Sequence, residues 1–401
     1  MTHAAEILTG LAVLVLGWLA LEVLRHRRAL ARIPVRVHVN GTRGKSSVTR
    51  LVAAGLRAGG KRAVAKTTGT LARVILPNAR ELSVYRPLGA NVREQIRIVR
   101  FAAALEAEVL VVECMALQPI LQWLSERMFV QATHGVITNA RPDHLDVMGP
   151  TGDDVAKALS GMMPRRALCF TAERERLPIL AHAAADRGTE LIAVEEEAGA
   201  ALSDEAMAGF RYHEHRENVA LALRVCAALG VDEETALSGM QGAHPDPGAL
   251  TFHELDFFGR EIVFVNAFAA NDPVSSAQIW ETALALYPEH RRVCVFNCRV
   301  DRADRSRQLG ESLPGWSAPD RVLAVGTGTV FFGRAAAAAG YDASRIVSVE
   351  GADAREVFER LVDGCGRRTL LVGLGNIGGL GLDLVRLFRN RARGVWREEA
   401  R

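Results

Sequence analysis

Along this chain the apolar residues fall into two rhythms. The first is one long run: Ile7 to Leu24 is apolar apart from Glu22 and a few small residues. At helical rise it extends about 27 Å, just enough to cross a hydrocarbon core of about 30 Å. Everywhere else, short runs rich in β-branched residues alternate with amphipathic stretches. Val35, Val37 and Val39 predict a strand that enters a glycine turn and then a helix ending near Gly59 and Gly60. A short strand over 62–66, a polar turn from Thr67 to Thr70, an amphipathic stretch from about Asn91 to Leu105 and apolar strands at 109–114 and 135–139 follow. The alternation continues through 167–171 and 190–194 to a helix from about Asn218 to Leu229. Such a series predicts a mostly parallel sheet, whose ligand crevice lies at the C-terminal ends of its strands.

The series breaks at His244-Pro-Asp-Pro-Gly-Ala249, and new strands are expected at 261–265, 292–296, 321–325 and 369–372. The expected fold class is therefore α/β. A P-loop-type domain over 29–247 follows an N-terminal membrane anchor over 1–28, and a smaller C-terminal α/β domain fills 248–401. Arg25, Arg27, Arg28, Arg32 and Arg36 follow the apolar run, and only His3 precedes it. That asymmetry predicts a single pass with the rest of the chain in the cytoplasm. A cleaved signal peptide would carry its basic residues before the run and small residues at a cleavage site after it.

The 49 Lys and Arg against 46 Asp and Glu leave a net charge of +3. This is too balanced to grip a polyanion, and no basic stripe with interleaved aromatics appears, so nucleic acid is not expected as a partner. Six cysteines are scattered without paired CxxC spacing, which suits buried free thiols rather than a metal site. Cys294 and Cys298 would share a strand face, but no second ligand pair stands nearby.

The turn itself reads Asn40-Gly-Thr-Arg-Gly-Lys-Ser-Ser47. Glycine amides, a helix N-terminus, the Lys45 ammonium and a Ser46 hydroxyl able to ligate a divalent cation form the pattern that cradles nucleotide phosphates. The full motif would place glycine at 39, where this chain has Val39 and instead carries its own Gly41. A phosphate turn needs a carboxylate to complete the metal shell, and Glu113 at the end of Val-Leu-Val-Val-Glu is the candidate. Asp143-His144-Leu-Asp146 sets an imidazole among carboxylates on a crevice loop, where it could hold a second metal or a substrate, although the same residues also make a plain helix start.

Taken together, Gly41-Thr-Arg-Gly-Lys-Ser-Ser47, Glu113 and Ile137-Thr-Asn-Ala-Arg-Pro-Asp-His-Leu-Asp-Val-Met-Gly149 resemble the central domain of the Mur ligase superfamily of ATP-dependent amide ligases. Tyr85-Arg-Pro-Leu-Gly-Ala-Asn-Val-Arg-Glu-Gln95, Val111-Val-Glu-Cys-Met-Ala-Leu-Gln-Pro119 and the 244–249 segment resemble, within it, the PgsB/CapB family of poly-γ-glutamate synthase subunits. The resemblance implies ATP with Mg²⁺ or Mn²⁺ as cofactors, and an acyl phosphate that an amine attacks. Glutamate and the growing poly-γ-glutamate would be the substrates, with PgsC/CapC-like and PgsA/CapA-like integral-membrane subunits as partners. It further implies that Asn40 to Ser47 hold the nucleotide and that Ser46 and Glu113 hold metal, with Thr68 and Thr70 on a loop facing it. His144 would take the second metal and Asn218 would lie near adenine. Lys157 is the one lysine near the position where relatives carry a carbamylated metal-binding lysine, and Asn271, Asp272, Arg299, Asp301 and Arg302 are candidate contributions from the C-terminal domain.

The rival readings are a ligase of the folylpolyglutamate type acting on another amino acid, and a P-loop switch or transport ATPase. A G protein would need Asn-Lys-x-Asp, and Leu237-Ser-Gly-Met only partly echoes a transporter signature. Gly373-Leu-Gly-Asn-Ile-Gly378 matches a dinucleotide fingerprint, yet too little chain follows it for the strand and acidic residue that such a site needs, so it is expected to be a turn from the last strand to the last helix. His213, Glu214 and His215 are expected to line a surface or the nucleotide pocket.

Overall fold

The computed structural model describes residues 2–69, 71–86, 89–210, 212–246, 248–270 and 272–392; Thr70 and Asn271, both singled out above, lie outside them. The chain forms two compact units: one runs through residue 207 and resumes over Glu214–His244, and the other joins Ala208–His213 to the residues from Pro245 onward.

The first unit begins with an unbroken helix, Thr2–Ala31. Ala5–Ala31 is long and apolar enough to cross a membrane, and its most apolar stretch is not buried against the protein. Its final turns behave differently. Glu22, which interrupts the apolar run, accepts a 2.8 Å contact from Arg100, and the His26 ring meets the carbonyl of Phe129 at 2.9 Å. Ala29, Leu30 and Ile33 then enter the core beside Val64, Ile98, Val99, Leu110 and Val112. Ile33 is fully buried, worth about 1.5–3 kcal/mol for a side chain of its size.

The sheet of this unit contains β1 (Val35–Asn40), β2 (Ala63–Thr67), β3 (Arg73–Ile75), β4 (Glu81–Ser83), β5 (Val109–Glu113), β6 (His134–Ile137), β7 (Leu168–Thr171) and β8 (Glu190–Ala193). Their spatial order is β4-β3-β2-β5-β1-β6-β7-β8. β1 lies between β5 and β6, parallel to both, with Val39 opposite Glu113 and Asn40 opposite Ile137. That register brings the glycine turn, Glu113 and the 138–146 loop to one edge of the sheet, as the strand–helix alternation predicts. The departure from expectation is β3 and β4, an antiparallel hairpin on β2 that is too short to leave a periodic signal.

The second unit holds β9 (Thr251–Phe257), β10 (Arg260–Asn266), β11 (Arg291–Cys298), β12 (Arg321–Gly326), β13 (Ile346–Glu350) and β14 (Arg368–Gly375), ordered β13-β12-β11-β14-β10-β9. All neighbours are parallel except β9, which forms a hairpin with β10. Strands β9 and β13 add to the expected four. On one face Phe264 stacks on Phe388 with ring centroids 4.0 Å apart; on the other, Phe296 packs against Phe332 and Trp316.

Candidate functional site

The phosphate turn is built by β1 handing the chain to the helix Lys45–Ala58. Gly44 caps that helix in the left-handed region, with φ +79°, and no side chain spends the N–H groups of the first turn on a cap. A Cβ at Gly44 would lie 2.6 Å from Oδ1 of Asn218, and one at Gly41 only 2.0 Å from Oγ1 of Thr138, so both glycines are required by close approach as well as by φ. The Lys45 ammonium curls over the turn and donates to the carbonyl of Gly41 at 2.6 Å.

Glu113 ends β5 beside this turn. Its Oε2 accepts from Ser46 Oγ at 2.9 Å and from the Thr68 N–H at 2.6 Å. A hydroxyl and a carboxylate in contact at the mouth of a phosphate turn are hard oxygen donors, the set that suits Mg²⁺ or Mn²⁺ with waters retained. Thr68, expected on a loop facing the metal, is joined to this carboxylate by its backbone N–H.

Three further groups fix the turn from a distance in sequence. Asn139, just beyond β6, accepts from Thr42 Oγ1 at 2.7 Å and from the Arg43 N–H at 3.1 Å, and donates to the Arg43 carbonyl at 3.2 Å. Glu214 takes the hydroxyl of Ser47 on one oxygen, while its other oxygen accepts from Asn218 Nδ2 at 2.9 Å. The side chain of Asn40, expected among the nucleotide contacts, instead donates to Gln122 at 2.7 Å in the protein interior. Behind Glu113 lies a buried charged cluster. The Lys66 ammonium sits 2.6 Å from Glu94, which also takes two 2.7 Å bonds from the Arg86 guanidinium. Burial pushes the Lys66 pKa down, with Glu94 and then Glu113 opposing that fall.

The structure gathers the remaining candidates only in part. His144 sits in the left-handed region at φ +48°, an uncommon place for a non-glycine residue, with its ring 3.9 Å from Asp143, which in turn lies 3.9 Å from Arg43. Among the described residues no three His, Cys, Asp or Glu side chains converge as a metal site. Lys157 is not brought to the turn: its side chain is 65% exposed and pairs with Asp154 at 3.4 Å. In the second unit Asp301 forms an exposed two-bond pair with Arg299, and Asp272 caps the helix Pro273–Leu286 by accepting from the Ser275 N–H.

The glycine-rich end of β14 leads through Asn376 to the helix Leu380–Arg389. Asn376 donates to the Asn297 carbonyl at 2.9 Å and accepts from Arg305 at 2.8 Å, so the fingerprint-like segment is a buried lock between two strand ends. All six cysteines are free and buried.

Residues 39–241 match the Mur ligase middle domain, and residues 252–391 match the poly-gamma-glutamate synthase CapB C-terminal domain. The chain is 38% identical over 363 residues to the capsule biosynthesis protein CapB of Bacillus anthracis, spanning 90% of this chain and 77% of that one. It is 35% identical over 376 residues to the PGA synthase CapB of Bacillus subtilis strain 168, spanning 93% and 94%. Among solved structures, a folylpolyglutamate synthase of Mycobacterium tuberculosis complexed with ADP and AMPPCP superposes with a TM-score of 0.64 at 18% identity, over 93% of this chain and 96% of that one. The folylpolyglutamate synthase of Thermotoga maritima gives 0.63 at 14% identity, over 92% and 93%. These two likenesses establish the shared fold.

Proposed function

The chain belongs to the CapB family of Mur-type ligases, and on that premise we propose that it is an ATP-dependent amide ligase that polymerises glutamate through its γ-carboxyl. The observation that carries the reading is the contact of Ser46 with Glu113 at the mouth of the Gly41–Ser47 turn. It supplies the hard oxygen donors that phosphoryl transfer from ATP requires, and the family match points to an acid as the acceptor.

In this reading the first-turn N–H groups and Lys45 bind the β- and γ-phosphates, with Lys45 leaving the Gly41 carbonyl to do so. Asn139 and Glu214 keep the turn in shape while the nucleotide enters and leaves. Ser46 and Glu113 would hold Mg²⁺, which when bound neutralises charge building on the phosphate oxygens. An oxygen of the γ-carboxylate attacks the γ-phosphorus and ADP departs, leaving an acyl phosphate. The amine of the second amino acid then attacks the carbonyl carbon, the C–O bond to phosphate breaks, and the amine's surplus proton is released. Positioning supplies most of the acceleration in the second step, because an acyl phosphate is already activated. Lys157 has no part in this scheme.

The exposed apolar face of Thr2–Ala31 supports single-pass anchoring with both units cytoplasmic. One span cannot form a pore, so export of a polymer calls for CapC-like and CapA-like membrane subunits. The test is a hydroxylamine trap in membranes given ATP, Mg²⁺ and labelled glutamate. Glutamyl hydroxamate and ADP should form together, and Lys45→Ala should abolish both. Hydroxamate from another amino acid would favour a ligase of different specificity. ADP without hydroxamate would favour an ATPase switch.

A further inference from the structure

At the end of the helix Lys45–Ala58 remote from the phosphate turn lies a pocket of about 310 Å³, walled by Arg50, Arg57, Ile75, Pro77, Glu81 and His244 among others. We propose that it binds a carboxylate carried on an aliphatic stem, the chemistry shared by free glutamate and by each γ-glutamyl unit of the polymer.

The charges make the case. Glu81 is the one carboxylate among the described lining residues. It is already engaged: the buried guanidinium of Arg50 meets both its oxygens, Nη2 at 3.2 Å from Oε2, and Arg73 Nε stands 3.9 Å away. Arg57 completes three guanidiniums around this single acid, and its buried Nη1 has no hydrogen-bond partner. Burial, and then the neighbouring Arg50, push the Arg57 pKa down to about 10, with Glu81 opposing. An anion entering here would give a hydrogen-bond partner to a desolvated cation that Glu81 offsets only through its field.

The walls select among anions. The planar fork of arginine matches a carboxylate through two parallel bonds. The methyl and methylene surface of Ala54, Ala58, Ile75 and Pro77 would meet an aliphatic stem but gives nothing to inorganic phosphate. The volume lies at the small end of the range for organic ligands. Along the helix, Arg57 stands about 18 Å from Lys45 at 1.5 Å per residue. A ligand held there cannot be the glutamate being phosphorylated, since reacting atoms must approach to about 3–3.5 Å. The pocket is therefore a second carboxylate site on the nucleotide-binding unit. Naming glutamate as its ligand rests on the polymerase reading; the unpaired Arg57 does not.

The experiment is equilibrium binding of labelled glutamate and of a short γ-glutamyl oligomer to the full chain in detergent, without ATP. Arg57→Gln should weaken binding by about 10-fold or more, the loss expected when a charged hydrogen-bonding partner goes. Arg57→Lys should fall between it and the parent, and Ala58→Trp should block the pocket sterically. Melting midpoints of the variants report whether they fold. Competition by glutamate as strong as by oligomer identifies the free amino acid as the ligand; competition by oligomer alone identifies the polymer. Inorganic phosphate competing as well as either would overturn the carboxylate assignment, and parent-like binding by both folded Arg57→Gln and Ala58→Trp would overturn the pocket. If the parent releases no ADP with glutamate while Arg57→Gln still loses binding, the polymerase reading fails and the pocket stands.

Discussion

Replacing Glu94 with Gln removes one negative charge from the cluster behind the phosphate turn and changes almost nothing in shape. The Lys66 side chain is fully buried, with its ammonium 2.6 Å from Glu94, and Arg86 spends two 2.7 Å bonds on the same carboxylate. Breaking a buried pair by removing one partner costs about 3–5 kcal/mol, because the surviving charge is left without compensation. Lys66 can limit the loss by giving up its proton, since its pKa is already depressed by burial, so the lower end of that range is expected. Urea unfolding of the detergent-solubilised chain at pH 7 measures it. The sign of the pH dependence follows from Glu94 itself. Burial acts to raise its pKa, but the bonds from Arg86 and Lys66 prevail and hold it below the ordinary 4.5. Its contribution is therefore present above about pH 4.5 and is lost as the pH falls through the lower folded value. Glu94→Gln should flatten that acid limb. The double variant Lys66→Met, Glu94→Leu should recover only the part of the loss due to the stranded Lys66 ammonium, because Arg86 still loses both its bonds to Glu94. A Glu94→Gln chain within about 1 kcal/mol of the parent at pH 7, with an unchanged acid limb, would refute the reasoning.

The other predictions concern the site, a second buried pair and the anchor. Glu113→Gln should raise the Mg²⁺ concentration for half-maximal ADP release by about 10-fold or more, read from a metal titration, because Ser46 would keep only a neutral partner. Asn139→Ala deletes three bonds to Thr42 and Arg43 and should weaken ATP binding by about 10-fold, read calorimetrically, with the melting midpoint little changed. Burial acts to lower the pKa of His38, but the Cys114 sulfur and the Glu126 carboxylate outweigh it and raise the value to about 9. Its stabilisation is therefore complete below pH 6.5 and disappears as the pH rises through about 9, a slope that Glu126→Gln should reduce but not abolish in unfolding curves, since Cys114 remains. Deleting residues 2–21 should move the protein from the membrane to the soluble fraction with its fold intact, whereas a deletion that also removes Leu30 and Ile33 should leave it unfolded by circular dichroism.

Features carried by neighbouring residues were legible before the structure. Gly41, Gly44, Lys45 and Ser46 lie in one short segment, and Glu113 announces itself by closing an apolar strand. What could not be read were partners that folding brings from afar. The sequence leaves Glu214 between a surface and the nucleotide pocket and does not name its partner, Ser47, which stands 167 residues away. Nothing in the Ile137–Gly149 segment marks Asn139 for a role, and its link to Thr42 spans 97 residues. Lys66 and Glu94 are an unremarkable lysine and glutamate until β2 and the helix Glu94–Ala104 are packed together. Periodicity also failed for β3 and β4, since three residues per strand cannot establish a rhythm. The left-handed backbone of His144 leaves no mark in its neighbours' identities.

The helix that starts at Thr2 reaches Ala31 without a break and ends bolted to Arg100 and the carbonyl of Phe129. With its outer part in a bilayer it is a mast and not a leash. Every turnover on the first unit then happens at one fixed height above the lipid, and a polymer leaving it always starts from the same spot. Any membrane protein that took up the product would have to meet it at that one place.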